Sequence, residues 1–253
     1  MIEPGAGEPV IDPRKWVKMI NFEAPCDRCL LAFLRTPLDV GKKIFEEIEE
    51  SVLKIPTLGN IKGRYRGVDI CVAMPYFGAP AAVMALELLI AAGIRKFIVY
   101  GAAGAIHPSV KIFDIVVPTW GIREEGVSYH YLPENIVLKP SEKVVKILVE
   151  KLSPLARSLN IRLHIGGIWT TDAIFRETRD KIAKYSSMNI LAVDMESTAL
   201  MSVAMFRGVD LGIALIITDE LYRESWRIFS DKRKMARIEE EVVKALFEVL
   251  VRI

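Results

Sequence analysis

The chain has 253 residues, 51% of them hydrophobic, and its 34 Lys and Arg against 32 Asp and Glu leave a formal net charge of +2. So large an apolar content supports a sizeable core and excludes a disordered chain. The near-balanced charge excludes the strongly basic composition of a nucleic-acid-binding protein. Gln is absent and charged residues make up 26% of the chain, which fits a heat-adapted source.

The termini and cysteines indicate a soluble, cytoplasmic protein. The first 13 residues contain acidic side chains and no apolar core, so we do not interpret them as a signal peptide. The apolar stretch at 70–86 is interrupted by prolines and a glycine, which argues against a membrane-spanning helix. Three cysteines are too few for a disulfide scaffold and favour a reducing compartment. Cys26 and Cys29 have redox or half-zinc spacing, but without a second pair we interpret them as ordinary thiols and predict no metal.

Strand-like and helix-like patterns alternate along the chain. The predicted strands cover 67–74, 96–100, 114–118, 161–168, 190–193 and 211–218, with a turn at 101–104 after the second. The predicted helices cover 81–92, 142–155, 178–185, 197–207 and 235–251. Apolar strands alternating with helices predict an α/β fold of three layers, a central mixed β-sheet flanked by helices. No linker or repeat divides the chain, so we expect a single domain over 1–253, with 1–15 as a loose arm.

In such sheets ligands bind at the carboxyl ends of strands, so we considered the residues that follow each strand. The glycines of the turn at 101–104, Gly104 among them, could let backbone N–H groups approach an anion or a sugar. Taken alone, they favour an ordinary tight connection. Thr171 and Phe175 leave another strand end, where an aromatic ring could stack on a flat heterocycle or simply belong to the core.

Two acidic positions are the strongest candidates. Glu196, after Val193, Asp194 and Met195, opens a helix, where it could complement the helix dipole. It could equally accept the hydroxyls of a ribose, with Met195 under the sugar and Asp194 as a competitor. Asp219 emerges from the most apolar strand, and burial favours a neutral carboxyl that could donate a proton to a leaving group. Its alternative role is to cap the following turn.

Together these motifs resemble the nucleoside phosphorylase family of the purine nucleoside and uridine phosphorylase type. The resemblance rests on the segments at 91–94, 101–106, 114–118, 123–126, 128–131 and 193–196, whose order and spacing match over about 63–219. It implies a single phosphorylase/hydrolase-like α/β domain, a small-molecule nucleoside substrate, phosphate as co-substrate without another cofactor, and commonly a dimer-based hexamer.

The resemblance also implies roles for individual residues. Glu196 corresponds to the ribose-binding glutamate, with Met195 beside it, and Asp219 corresponds to the aspartate that protonates a purine. Because the pyrimidine branch lacks that aspartate, a purine nucleoside is the expected substrate. The remaining substrate-binding positions implied here are Phe77, Gly78, Gly104, Thr171, Phe175, Val193 and Asp194.

The phosphate-binding positions depart from the family pattern. The family's Gly-Asp-Pro-x-Arg segment is replaced by residues 36–40, which end in Val40, and further contributors are replaced by Val99, Ala102 and Ile55. A phosphate dianion needs charge-assisted donors, which Arg35, Lys54 or Arg176 could provide. Three hypotheses follow: a purine-preferring phosphorylase with a rebuilt phosphate site, a nucleosidase that uses water, and a nucleoside-binding protein without catalysis. The first is our choice, because the diol-binding and base-protonating groups are both kept.

Overall fold

A computed structural model describes residues 4–5 and 7–253. Its strands are β1 (Arg28–Ala32), β2 (Glu46–Glu50), β3 (Gly59–Tyr65), β4 (Val68–Met74), β5 (Lys96–Ala105), β6 (Ile115–Glu124), β7 (Leu163–Thr171), β8 (Ile190–Asp194), β9 (Asp210–Glu220) and β10 (Arg227–Ile228). Its helices are α1 (Pro13–Met19), α2 (Thr36–Ile44), α3 (Ala79–Ala91), α4 (Glu142–Ser158), α5 (Arg179–Ser187), α6 (Ser197–Arg207) and α7 (Lys232–Arg252).

All ten strands belong to one mixed sheet, in the order β10-β9-β6-β7-β8-β5-β1-β4-β3-β2. β9 also pairs with β5, so β5, β8, β7, β6 and β9 close into a ring. Within the ring β5 is parallel to β9 but antiparallel to β8. The carboxyl-terminal part of β5 therefore lies between β8 and β9, two strands on which site residues were predicted.

Two apolar clusters cover the two faces of the sheet. One contains residues of α1, α3 and α6, including the buried Leu86, Leu89 and Leu200. The other contains residues of α2, α4 and α7, including Leu148 and Leu246. The predicted α/β fold with a mixed sheet between helical layers is thus confirmed.

The main differences from the predicted elements lie in the first 66 residues and in β5. All six predicted strands and all five predicted helices are present. The helix predicted at 197–207 has the bounds of α6, and the other elements have shifted ends. The structure adds six elements that were not predicted: α1, α2, β1, β2, β3 and β10. The turn predicted at 101–104 is wrong, because β5 continues through it to Ala105 while pairing with β9. α1 begins at Pro13, within the segment expected to be a loose arm, and buries Val17.

The interpretation of Cys26 as an ordinary thiol is wrong. Cys26 forms a disulfide with Cys71 of β4, because the parallel pairing of β1 with β4 brings the segment before β1 to that strand. Cys29 is the register partner of Cys71 on β1 and is a free, fully buried thiol, whose pKa is raised by that burial. The pairing was not predictable, because Cys71 lies 45 residues from Cys26 in the sequence.

Within residues 4–5 and 7–253, none of the helices has both the length and the apolar composition needed to cross a membrane.

Candidate active site

Gly104 lies between two other predicted site residues. Its register partners are Val193 of β8 on one side and Asp219 of β9 on the other. The β5–β9 register shifts between Ala103 and Gly104, which marks a local irregularity at this position. A Cβ atom on Gly104 would lie 2.6 Å from Leu221 Cδ1 and 3.2 Å from Asp219 Oδ2. Glycine therefore allows the strand to approach the Asp219 carboxyl closely.

Glu196 lies between the end of β8 and the start of α6, and only 8% of its surface is exposed. The backbone N–H of Gly78 donates a hydrogen bond of 2.8 Å to Glu196 Oε1. Gly78 precedes α3 and has a φ of +92°, a conformation that glycine adopts without strain. Burial, and then the negative charge of Asp194, raise the pKa of Glu196 to about 7. The carboxyl is thus held by α3 and is ready to accept hydrogen bonds when ionised.

Asp194 is committed to protein contacts. Its Oδ1 accepts a 2.7 Å hydrogen bond from Thr170 Oγ1, and its Oδ2 accepts a 3.0 Å bond from the backbone N–H of Ser197 at the start of α6. Burial raises its pKa to about 6. Since both oxygens are occupied, the geometry favours Glu196 over Asp194 as the acceptor for a diol.

Asp219 is half-buried near the end of β9. It accepts a 2.9 Å hydrogen bond from Thr218 Oγ1 and a 2.8 Å hydrogen bond from Trp226 Nε1. Trp226 is the last residue of the loop that joins β9 to β10. No sequence pattern pointed to this indole, because it stands outside any periodic pattern and the β10 strand that follows it has only two residues.

Glu177 is a second carboxyl, close enough to Asp219 to feel its charge, that no sequence pattern pointed to. It lies in the loop between β7 and α5. Burial, and then the negative charge of Asp219, raise the pKa of Glu177 to about 7. Only its place two residues after Phe175 could have drawn attention to it.

The aromatic candidates separate into core and surface. Phe77, just before Gly78, is 63% exposed, and Phe175 is 97% exposed in the β7–α5 loop. Trp169 is fully buried, packs against Tyr185 with ring centroids 4.9 Å apart, and donates to Glu124 Oε2. Trp169 therefore belongs to the core, while the two phenylalanines are accessible to a ligand.

Two further predicted positions differ in accessibility. Thr171 at the end of β7 is buried and accepts a 3.2 Å hydrogen bond from the backbone N–H of Ala173, which fixes the start of the β7–α5 loop. Met195 is half-buried beside Glu196.

A buried carboxyl links the first turn of α6 to a neighbouring loop. Glu125 Oε1 accepts a 3.0 Å hydrogen bond from Thr198 Oγ1, and its Oε2 accepts a 2.9 Å bond from the backbone N–H of Ser128. Arg123 donates to Ser128 Oγ and to the carbonyls of Leu132 and Pro133. These contacts fix the helix that begins directly after Glu196.

Apolar side chains occupy the positions where a phosphate site was expected. Val40 and Val99 are each 2% exposed and Ile55 is 8% exposed, so all three belong to the core. Arg35 lies at the start of α2, with its Nε 3.5 Å from Asp39 Oδ1, and Lys54 donates to the carbonyl of Asn21. The positions at which the resemblance implied phosphate ligands are therefore occupied by packing residues.

A groove of about 730 Å³ lies apart from these residues, between the N-terminal segment and the helices α3 and α6. Trp16, Met84, Glu87 and Tyr131 are among the residues that line it. His130 also lines it, whereas Glu196 and Asp219 do not. Among the described residues, no group of three or more His, Cys, Asp or Glu side chains is arranged to hold a metal ion.

Comparison with known proteins identifies the family. The model of the phosphorylase superfamily matches residues 45–252. The chain is 26% identical over 161 residues to a guanosine phosphorylase of Halorubrum lacusprofundi, covering 64% of this chain but only 65% of that protein. It is 26% identical over 200 residues to a uridine phosphorylase of Thermococcus kodakarensis, covering 74% and 70%. It is 29% identical over 143 residues to a DeoD-type purine nucleoside phosphorylase of Brevibacillus brevis, covering 56% and 60%. The chain therefore belongs to the phosphorylase superfamily, as its resemblance to the nucleoside phosphorylases predicted.

Proposed function

We propose that the protein is a nucleoside phosphorylase that cleaves the N-glycosidic bond of purine nucleosides, giving free base and ribose 1-phosphate. One observation carries the proposal: Gly104 has as its register partners both Asp219 of β9 and Val193 of β8, three residues before Glu196. The names of similar proteins support the reaction type, since they include purine nucleoside, guanosine and uridine phosphorylases. The purine preference rests on Asp219.

The two carboxyls have complementary tasks in this reaction. Glu196, held by the N–H of Gly78, accepts hydrogen bonds from the sugar hydroxyls and faces the positive charge that develops on the sugar as the bond to the base breaks. Asp219, in its protonated form, gives its proton to the leaving base, so that the base departs neutral. The attacking oxygen of phosphate then forms the new bond to the anomeric carbon.

We assign the phosphate contact to Arg35. β1 pairs with β5 up to the partners Ala32 and Tyr100, and the backbone N–H of Phe33 donates to the Tyr100 carbonyl. Arg35 lies two residues after Phe33, so it closely follows the point at which β1 ends beside the Gly101–Gly104 part of β5. Its side chain is 72% exposed and its 3.5 Å contact with Asp39 is exchangeable.

A second candidate function is hydrolysis, in which water replaces phosphate. The observation that favours it is the burial of Val40, Val99 and Ile55 at positions where a phosphate site was expected. A neutral nucleophile has no need of the missing cations.

The deciding experiment follows base release from inosine, adenosine, guanosine and uridine with and without phosphate, together with ribose 1-phosphate. We expect phosphate-dependent cleavage of the purine nucleosides and a higher KM for phosphate in Arg35→Gln. Asp219→Asn should slow cleavage by ~10²–10⁴-fold. The matched control is Asp210→Asn at the opposite end of β9, where Asp210 pairs with Lys143 at 2.6 Å. Base release that ignores phosphate would establish the nucleosidase, and tight nucleoside binding without base release would leave a binding protein.

A further inference from the structure

The loop between β9 and β10 folds back onto Asp219. Trp226 donates its indole N–H to Asp219 Oδ2 at 2.8 Å, although 67% of the Trp226 surface is exposed. An indole N–H is a donor only, so this contact can be made only with an acceptor oxygen of the carboxyl. The exposed ring thus makes a specific polar contact with the group to which the proposed function assigns proton transfer.

Several contacts hold the loop in place. Arg179, the first residue of α5, donates to the backbone carbonyls of Arg223, at 3.3 Å, and of Glu224. At the two ends of the loop, Leu221 donates its N–H to the Ala105 carbonyl at 2.9 Å, and Ile228 is the register partner of Asp219. The position of the indole is therefore set by α5, β5 and β9 together.

We propose that Trp226 is a positioning residue for Asp219, holding Oδ2 so that Oδ1 faces the leaving base and stabilising the carboxylate that remains after proton transfer. This inference rests on the proposed function. A hydrogen bond to an ionised acceptor is stronger than one to a neutral acceptor. The Trp226 contact therefore strengthens as the proton leaves Asp219, which lowers the barrier of that step.

Two donors contact Asp219, one from its own strand and one from the loop. Thr218 Oγ1 donates to Oδ1 and Trp226 Nε1 donates to Oδ2. On β5 the register partner of Asp219 is Gly104, and on β10 Arg227 contacts Glu220 at 3.9 Å. Replacing the indole therefore removes the donor to Oδ2 and leaves the Thr218 contact with Oδ1 in place.

The test compares Trp226→Phe with the matched control Trp16→Phe, which makes the same change on α1. For Trp226→Phe we expect kcat to fall ~10-fold with KM within about twofold, because the contact acts on proton transfer and not on substrate binding. Arg179→Ala should lower kcat in the same way. In the Asp219→Asn background, Trp226→Phe should lower kcat no further. An equal fall there would reduce Trp226 to packing, and an unchanged enzyme would remove its role.

A second measurement needs no turnover. The difference in fluorescence between the wild-type protein and Trp226→Phe isolates the emission of Trp226. We expect this emission to change in Asp219→Ala, where the indole N–H loses its acceptor. If the emission is the same with and without the Asp219 carboxyl, the pairing of Trp226 with Asp219 is wrong. A wild-type protein that releases no base from any nucleoside overturns the proposed function and the positioning role of Trp226, and the fluorescence comparison then decides the pairing by itself.

Discussion

The Cys26–Cys71 disulfide should contribute strongly to stability, because it closes a long loop. The two cysteines are 45 residues apart, and they join the segment before β1 to β4 in the interior of the sheet. The chain-entropy relation for a loop of this length gives about 4 kcal/mol of stabilisation, through restriction of the unfolded chain. For a chain of this size, that corresponds to a fall in Tm of roughly 8–16 °C when the bond is lost.

Thermal unfolding followed by circular dichroism checks this value for the wild-type protein with and without dithiothreitol, and for Cys26→Ser. Cys26 is the better site for substitution, because it lies at the edge of the core whereas Cys71 is fully buried. Cys29→Ala is the matched control, since it removes the neighbouring thiol and leaves the disulfide intact. We expect the reduced wild-type protein and Cys26→Ser to show a similar fall in Tm. Cys29→Ala keeps the disulfide, so its Tm should still fall on reduction by as much as that of the wild-type protein.

Thiol counting under denaturing, non-reducing conditions provides the direct check. One free thiol per chain agrees with the structure, because Cys29 alone is unpaired. Three free thiols, or a Tm that changes by less than about 2 °C on reduction, would refute the reasoning.

Three further predictions concern the site. Thr170→Val should lower the free energy of unfolding, measured in urea, by about 2–4 kcal/mol, because Asp194 Oδ1 and the N–H of Thr198 both lose their hydrogen bond to the Thr170 hydroxyl while they stay buried. A loss below about 1 kcal/mol would contradict this prediction. Stability should fall as pH rises from about 4.5 to 7, since Glu196 has its pKa raised to about 7 and the folded state retains a proton that the unfolded state releases. In Glu196→Gln the free energy of unfolding should change less between about pH 4.5 and 7, by up to roughly 3 kcal/mol. The same pH dependence as in the wild-type protein would contradict this prediction. Gly104→Ala should lower kcat ~10-fold and the free energy of unfolding by about 1–2 kcal/mol, because the added Cβ would overlap with Leu221 and the Asp219 carboxyl. Wild-type kinetics would show that the neighbouring side chains move without disturbing Asp219.

The sequence predicted the fold best where packing dominates. β9 has a continuous apolar run, and α7 has apolar residues spaced four apart. Both elements were predicted at nearly the positions at which they occur. β2 could not be recognised, because all five of its residues are exposed and four of them are glutamates. It exists as an edge strand paired with β3, where Lys62 and Arg64 face Glu49 and Glu47 at 3.2 and 2.9 Å. Such ion pairs join residues on different strands, so a pattern read along one segment of the sequence cannot predict them.

The candidate site was predicted in its residue types but not in its supports. Glycine and alanine at 101–105 have low strand propensity, so a turn was predicted, whereas pairing with β9 keeps β5 extended to Ala105. The contact of Gly78 with Glu196 joins residues 118 positions apart, and the indole that contacts Asp219 comes from a loop. Spacing alone cannot show which loops meet at a strand end.

A crystal structure of Asp219→Asn with inosine and phosphate tests the central claim most directly. The account predicts the ribose hydroxyls on Glu196, the purine ring beside residue 219 and Phe175, and phosphate on the Arg35 side of Gly104. Inosine bound instead in the groove lined by Trp16 and Met84, with Glu196 making no contact to the sugar, would contradict it.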